Sequence, residues 1–272
     1  MTDPVAAPAP GSPAAADLYQ RASSLTFAIQ PGDTTYSYPA PSVTAPLVAT
    51  EPGQLAGLGC SALTAVPAAR TDCSGWVSWL MHAAAPQHYA GAVAFRERFF
   101  AQDPCRWPRA NVWYRYFMDP SSAEHFRVVP FAELLPGDVV VWAFDPFAAN
   151  ATYVDAPGDT GHIVVVLAPD APIIQAAAQP AGTRPLYVGV SDSSSVPHAS
   201  GGGYVDRREY RGGPACGRLD TPGGVGSGSI TFAVDASGQA VQFCFNATDA
   251  KNHFHAPGTN GGQPALLAVR LL

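Results

Sequence analysis

Charge is scarce in this sequence and is never concentrated. Only 13% of the residues are charged, the formal net charge is −6, and no basic cluster exceeds the adjacent pair Arg207-Arg208. Nucleic-acid binding relies on clustered positive charge, so we expect no nucleic-acid partner. The glycine run 201–203 is not followed by the lysine and helix of a phosphate-binding loop.

Long apolar runs are also absent, although 47% of the residues are hydrophobic. No stretch approaches the roughly 18 apolar residues of a membrane-spanning helix, and we expect no membrane span. No basic start is followed by the apolar run of a signal peptide. Residues 1–16 are rich in alanine and proline and predict a flexible lead.

The cysteine count is odd. The chain has five: Cys60, Cys73, Cys105, Cys216 and Cys244. An odd number is compatible with one functional thiol plus two disulfides in an oxidising compartment, or with five unpaired thiols in a reducing one. Chain proximity favours the pairs Cys60–Cys105 and Cys216–Cys244.

The order of helical and strand patterns indicates an α+β fold. With 27 prolines and 26 glycines, long helices should be few. Helical patterns come first, at 17–30, from 72 to Pro86, at 91–102 and at 109–118. Strand patterns follow at 138–144, 161–167, 186–191, 228–235, 239–245 and 265–271. We predict N-terminal helices packed on an antiparallel sheet, with a core at 17–204 and a β-hairpin extension at 205–272 that completes or flanks the same domain.

A candidate nucleophile lies where the clearest helix begins, in the segment Thr71-Asp72-Cys73-Ser74-Gly75-Trp76-Val77. Unpaired backbone N–H groups and the positive end of the helix dipole favour a thiolate at this position. The same N–H groups could form an oxyanion hole, and the small residues Ser74 and Gly75 leave room for substrate. A cysteine that only packs at a helix start is the structural alternative.

A candidate general base begins an apolar strand. His162 follows Gly161 and precedes a nearly all β-branched run. A cysteine nucleophile needs an imidazole partner, and the alternative is a histidine that caps a strand without chemistry. No metal is expected, because Cys60, Cys73, His82 and His88 lack paired ligand spacing. His253 and His255 fit a solvated loop, with a weak metal site as the alternative. The aromatic residues Trp107, Trp113, Tyr114 and Tyr116 fit either a sugar-binding cleft or the core.

Three ordered blocks resemble the NlpC-type branch of the papain-like cell-wall cysteine peptidases. They are Asp-Cys-Ser-Gly-aromatic-Val at 72–77, Leu-x-Pro-Gly-Asp before an apolar strand at 134–142, and Gly-His before an apolar strand at 161–167. The family often has Tyr-x-aromatic upstream of the cysteine, and Tyr36-Ser37-Tyr38 fits this pattern. The blocks cover roughly residues 36–200.

The resemblance implies catalytic roles for particular residues. Cys73 would be the nucleophile and His162 the base, with Tyr36, Asp72, Ser74 and Gly75 near the oxyanion or in the substrate cleft. A third polar residue would orient His162. Asp192, at the end of a strand after a lengthened loop at 168–185, is the first candidate, with Gln175 and His198 as alternatives. The structural alternative is that Asp192 is an Asx-turn residue that only ends the strand.

The resemblance also implies a function. It predicts a cofactor-free, monomeric hydrolase of amide bonds in peptidoglycan stem peptides or small peptides. Such an enzyme would act as a secreted or periplasmic protein, exported with a removed signal or delivered by a secretion system. An acyltransferase on the same fold and a non-catalytic cell-wall binding module are the alternatives.

Overall fold

The chain forms a mixed α+β protein. The computed structural model describes residues 11–37, 46–58, 65–103, 105–143, 160–169, 179–195, 197–198, 206, 208, 223–244 and 265–272. Within these ranges there are four α-helices and two sheets, of three and seven strands. The helices are α1 (Pro13–Ala28), α2 (Cys73–Ala84), α3 (Pro86–Phe99) and α4 (Ala110–Met118). No helix in the described part of the chain is long and apolar enough to cross a membrane.

The larger sheet is antiparallel throughout. Its strands are β4 (Phe126–Val128), β5 (Val139–Ala143), β6 (Gly161–Pro169), β7 (Arg184–Ser194), β8 (Gly224–Val234), β9 (Ala240–Cys244) and β10 (Ala265–Leu271). They lie in the order β4-β10-β5-β6-β7-β8-β9. The antiparallel α+β architecture predicted from the sequence is therefore confirmed.

A three-stranded sheet precedes the helix that carries Cys73. It consists of β1 (Thr34–Tyr36), β2 (Leu47–Ala49) and β3 (Ala68–Thr71), with β3 in the middle. β1 runs parallel to β3, and β2 runs antiparallel to it. The hydroxyl of Thr34 accepts a hydrogen bond from the backbone N–H of Val225 at 2.8 Å, which joins this sheet to β8.

Both faces of the larger sheet are buried, because apolar side chains occupy alternate positions on each. One face packs with α1, α2 and α4 and includes Ile163 and Val165. The opposite face includes Trp142 and Val164 and forms a second apolar cluster, which extends to Phe232 on β8. Burial on both sides explains why β5 and β6 are almost entirely apolar in sequence.

Two predicted boundaries are corrected by the structure. Residues 13–16, predicted as part of a flexible lead, form the first turn of α1, because Ser12 caps this helix by accepting from Ala15 N–H and Pro13 occupies the first turn. The helix predicted at 91–102 begins at Pro86 and ends at Phe99. Pro86 therefore ends α2 and also starts α3.

The C-terminal segment contributes to the interior of the sheet. β10 pairs with β4 on one side and with β5 on the other, and Arg270 on β10 forms a buried ion pair with Asp138 at 2.8 Å. Asp138 also accepts from Leu135 N–H at 2.8 Å, which fits the turn role that its position after Pro136-Gly137 suggests. The β8–β9 hairpin forms the opposite edge.

Candidate functional site

The start of α2 is fixed by its N-cap. Asp72 is extended, and its carboxylate accepts from Gly75 N–H at 2.7 Å and from the Ser74 hydroxyl at 3.1 Å. Cys73 is therefore the first helical residue, and it is buried. A Cβ on Gly75 would lie 2.1 Å from Thr71 Oγ1. The space beside Gly75, which the sequence suggested for substrate, is occupied by Thr71.

Burial opposes the charge on Asp72. Loss of solvent raises the pKa of this carboxyl, while hydrogen bonds from Gly75, Ser74 and Trp107 and the charge of Arg109 act in the opposite direction. The Trp107 indole also donates to Ser74 Oγ at 3.2 Å. Asp72 and Ser74 are thus held in a buried hydrogen-bond network behind the cysteine, and their contribution to a substrate cleft stays a prediction.

Two hydrogen bonds connect the start of α2 to β7. The Ser193 hydroxyl donates to Thr71 C=O at 2.7 Å, and the Trp76 indole donates to Ser191 Oγ at 3.0 Å. These bonds lie on either side of Cys73 along the chain. On β7 they lie on either side of Asp192. The helix start and the strand end are therefore held together around these two residues.

His162 contacts the carboxylate predicted to orient it. Its Nε2 lies 2.5 Å from Asp192 Oδ2, and its ring packs 5.0 Å from the Trp142 indole, centroid to centroid. Because side chains alternate along a strand, His162 and Asp192 extend from the sheet face that also carries Trp142 and Val190. Ser191 extends from the other face, where it meets Trp76 and Thr26.

Asp192 has two further buried partners. His198 Nε2 lies 2.7 Å from the same Oδ2, and Arg208 Nη1 donates to Oδ1 at 2.7 Å. Arg208 also donates to both carboxylate oxygens of Asp206, and Asp206 accepts from the backbone N–H of His198 at 2.5 Å. Two carboxylates, one guanidinium and two imidazoles therefore form one connected cluster.

The electrostatics of the cluster define the protonation of the imidazoles. Burial would raise the pKa of Asp192, but Arg208, His198 and the hydrogen bonds from both histidines lower it well below its ordinary value. Burial lowers the pKa of His198, against the attraction of Asp192. An ionised carboxylate only accepts hydrogen bonds, so both imidazoles must carry a proton on Nε2. In a neutral His162 the basic nitrogen is then Nδ1.

The side chains of this cluster are also of the types that bind metal ions. The ligand atoms of His162, Asp192 and His198 all lie within 4.8 Å of one another, and two imidazoles plus a carboxylate form a common zinc set. However, the 2.5 and 2.7 Å separations are those of hydrogen bonds, and Arg208 already offsets the charge of the carboxylate. The arrangement therefore fits a hydrogen-bonded cluster better than a metal centre.

The predicted site residues form two groups, one at the start of α2 and one in the cluster that includes Asp192 on β7. Asp192 and His198, proposed as alternatives, both belong to the cluster, while Gln175 lies outside the described residues. Tyr36 pairs with Thr71 in the parallel ladder, two residues before Cys73. The aromatic residues proposed for a cleft, Trp107, Trp113, Tyr114 and Tyr116, are buried. The catalytic roles of Cys73, His162 and Asp192 stay predictions, as does the place of Tyr36 near the oxyanion.

Sequence reasoning missed Asp206 and Arg208. The available signal was the alternation of glycines on β8, because Gly226 and Gly228 leave room for the cluster. A Cβ on Gly226 would lie 2.7 Å from Arg208 Nε, and one on Gly228 would lie 2.6 Å from His198 Cβ. Alternate glycines in a strand mark a close approach of other groups to that face.

One of the two predicted disulfides is contradicted by the structure. Cys105 has a free, buried thiol, so the predicted Cys60–Cys105 pair is wrong. Cys60 and Cys216 lie outside the described residues, as do His253 and His255. Burial raises the pKa of the Cys105 thiol, and the nearby carboxylates of Asp72 and Asp103 add to this effect, so Cys105 should react slowly.

Comparisons with models of protein families, with curated proteins and with solved structures return no match. Function must therefore be inferred from the residues of the site and from the sequence motifs.

Proposed function

We propose that the chain is a papain-like cysteine hydrolase of amide bonds, with Cys73 as nucleophile, His162 as general base and Asp192 as the residue that orients the base. The observation that carries the proposal is the connection of the two halves of the site. Ser191 and Ser193 hold the start of α2, and Asp192 between them contacts His162. To these contacts the proposal adds one hydrogen bond, between Cys73 Sγ and His162 Nδ1.

The chemistry follows from the tautomer that Asp192 favours. With Nε2–H donated to Asp192, Nδ1 takes the thiol proton, and the thiolate attacks the substrate carbonyl carbon. The oxyanion accepts from N–H groups at the start of α2, where intrahelical partners are lacking. The C–N bond breaks as the imidazolium protonates the leaving amine. Water then adds to the thioester carbonyl as His162 takes its proton, the C–S bond breaks, and the carboxylic acid leaves while the Cys73 thiolate regains the proton from the imidazolium.

The substrate class is proposed from the sequence motifs. The blocks at 72–77, 134–142 and 161–167 resemble cell-wall cysteine peptidases, so stem peptides of peptidoglycan are the proposed substrates. Action on such substrates implies a location outside the cytoplasmic membrane.

Product analysis tests the proposal. Purified peptidoglycan fragments are incubated with wild-type protein and with Cys73→Ala, and the products are identified by mass spectrometry. We expect the wild type to release fragments heavier by one water across a single amide bond, and Cys73→Ala to release none. An added amine that appears in the product in place of water would identify acyl transfer instead. Equal products from both proteins, or none from either, would contradict the proposed hydrolase.

A further inference from the structure

Asp192 can orient His162 only if its own carboxylate is fixed. The group has two equivalent oxygens, and rotation about χ2 would turn Oδ2 away from the imidazole. In the structure Oδ1 is held by Arg208 Nη1 at 2.7 Å, while Oδ2 accepts from His162 and His198. Both oxygens are thus used, and each has a defined partner.

Arg208 is itself held in place from the other side. Its Nε and Nη2 donate to Asp206 Oδ1 and Oδ2 at 2.9 and 2.8 Å, in a two-pronged arrangement that restricts the guanidinium plane. The remaining Nη1 lies between Asp192 and the carbonyl of Gly224. A lysine at this position has one ammonium nitrogen and could not serve both carboxylates in this way.

The sheet is shaped to admit Arg208. Gly226 is the direct partner of Asp192 across the β7–β8 ladder, and the position of its missing Cβ lies 2.7 Å from Arg208 Nε. A larger residue here would push the guanidinium out of the cluster. The side chain that reaches Asp192 therefore depends on a glycine in the neighbouring strand.

We propose that Arg208 is a positioning residue that holds the Asp192 carboxylate in the orientation presenting Oδ2 to His162. This inference rests on the proposed function and deepens it. It assigns a role in the site to Arg208, which lies beyond the end of the segment that resembles cell-wall peptidases. Arg208 acts through Asp192 and does not touch the reacting atoms.

Buried arginine–aspartate pairs can also be purely structural, and the chain contains a matched example. Arg270 donates through Nε and Nη2 to Asp138, and this pair is buried as well. Arg270→Lys therefore reproduces the chemical change of Arg208→Lys at a pair that shares no residue with the cluster. Any effect of lost stability alone should appear in both variants.

The test measures the rate at which iodoacetamide alkylates Cys73 as a function of pH, by intact mass and peptide mapping. A thiolate paired with an imidazolium reacts well below the pH of about 8.5 at which a free thiol ionises. Among the residues that the structure describes, the ionisable groups that can influence this profile are His162 on β6, Asp192 on β7, His198, Asp206 and Arg208 after β7, and Asp72 and Arg109 near α2. The variants are Arg208→Lys, Gly226→Ala and Arg270→Lys.

We expect Arg208→Lys and Gly226→Ala to shift the acid limb of the profile, where the alkylation rate rises with pH, to higher pH by about one unit. This shift corresponds to a roughly tenfold slower reaction at about pH 6. Arg270→Lys should lower the melting temperature and leave the acid limb of the alkylation profile at the same pH as in the wild type. The positioning role is overturned if Arg208→Lys keeps the wild-type limb while both arginine variants lose similar stability. If the wild type itself reacts only as a free thiol does, the proposed hydrolase fails, and the positioning role fails with it.

Discussion

Among single residues, Asp72 combines two opposing effects. Its side chain caps α2 through Gly75 N–H and so fixes the position of Cys73. Its burial raises its pKa, so the folded state binds the proton more tightly than the unfolded state. This contribution to stability is fully present below the unfolded pKa of about 3.9 and is lost as the pH rises through the folded pKa. At neutral pH the ionised group therefore carries a desolvation cost.

Replacing Asp72 separates the cap from the charge. Asp72→Ala should lower the free energy of unfolding by about 0.5–2 kcal/mol at neutral pH, the usual cost of a lost N-cap. Asp72→Asn keeps an oxygen for Gly75 and carries no charge, so it should be at least as stable as the wild type. Urea unfolding at pH 7 measures both. Equal losses for Asn and Ala would show that the cap oxygen does not hold the helix.

At the scale of elements, α2 is connected to its surroundings by several indole hydrogen bonds, and two of them act at different places along the helix. Trp76 donates to Ser191 on β7, next to Asp192. Trp113 on α4 donates to Ser78 in the middle of α2 at 3.4 Å. Both indoles are fully buried. Only the first connection relates the start of α2 to the strand that carries the cluster.

The two tryptophans form a matched pair for mutation. Trp76→Phe and Trp113→Phe should each lower the free energy of unfolding by about 1–3 kcal/mol through a lost hydrogen bond and smaller volume. Trp76→Phe should also slow alkylation of Cys73 at about pH 6, because the helix start is no longer held beside Asp192. Alkylation slowed equally by both variants would indicate a general loosening of α2.

Sequence patterns predict the long and apolar elements correctly and miss the short ones. α2, β5, β6 and the β8–β9 hairpin have strong periodicity or turn signals, and they lie close to the predicted positions. β1, β2 and β4 have three residues each and were not predicted, since pairing with distant strands stabilises them rather than local preference. The resemblance implied a residue that orients His162, and the strand end favoured Asp192 for this role, while Arg208 lies in a segment without a motif.

On the scale of the whole molecule, the last strand is part of the main core. β10 lies between β4 and β5, and Leu271 is fully buried in the cluster that packs α1, α2 and α4 on the sheet. Its neighbour Leu272 is about half exposed, at 49%. Local sequence could identify β10 as a strand, but its place inside the sheet depends on pairings more than a hundred residues apart along the chain.

Adjacent leucines test this arrangement. Leu271→Ala should lower the free energy of unfolding by about 2–5 kcal/mol, because it leaves a cavity in the core. Leu272→Ala should change it by less than about 0.5 kcal/mol. Denaturant unfolding measures the difference. Two small effects would mean that β10 is a dispensable edge and that the C-terminal segment flanks the core.

The proposed function requires that His162 activates Cys73, and the alkylation rates of three proteins measure this activation. Wild type, Cys73→Ser and His162→Ala are treated with iodoacetamide at about pH 5.5, far below the ordinary thiol pKa of about 8.5. We expect fast labelling of one site in the wild type, no labelling of this site in Cys73→Ser, and labelling at least about tenfold slower in His162→Ala. Equal rates in wild type and His162→Ala, or no labelling of Cys73 at this pH, would contradict the proposed function.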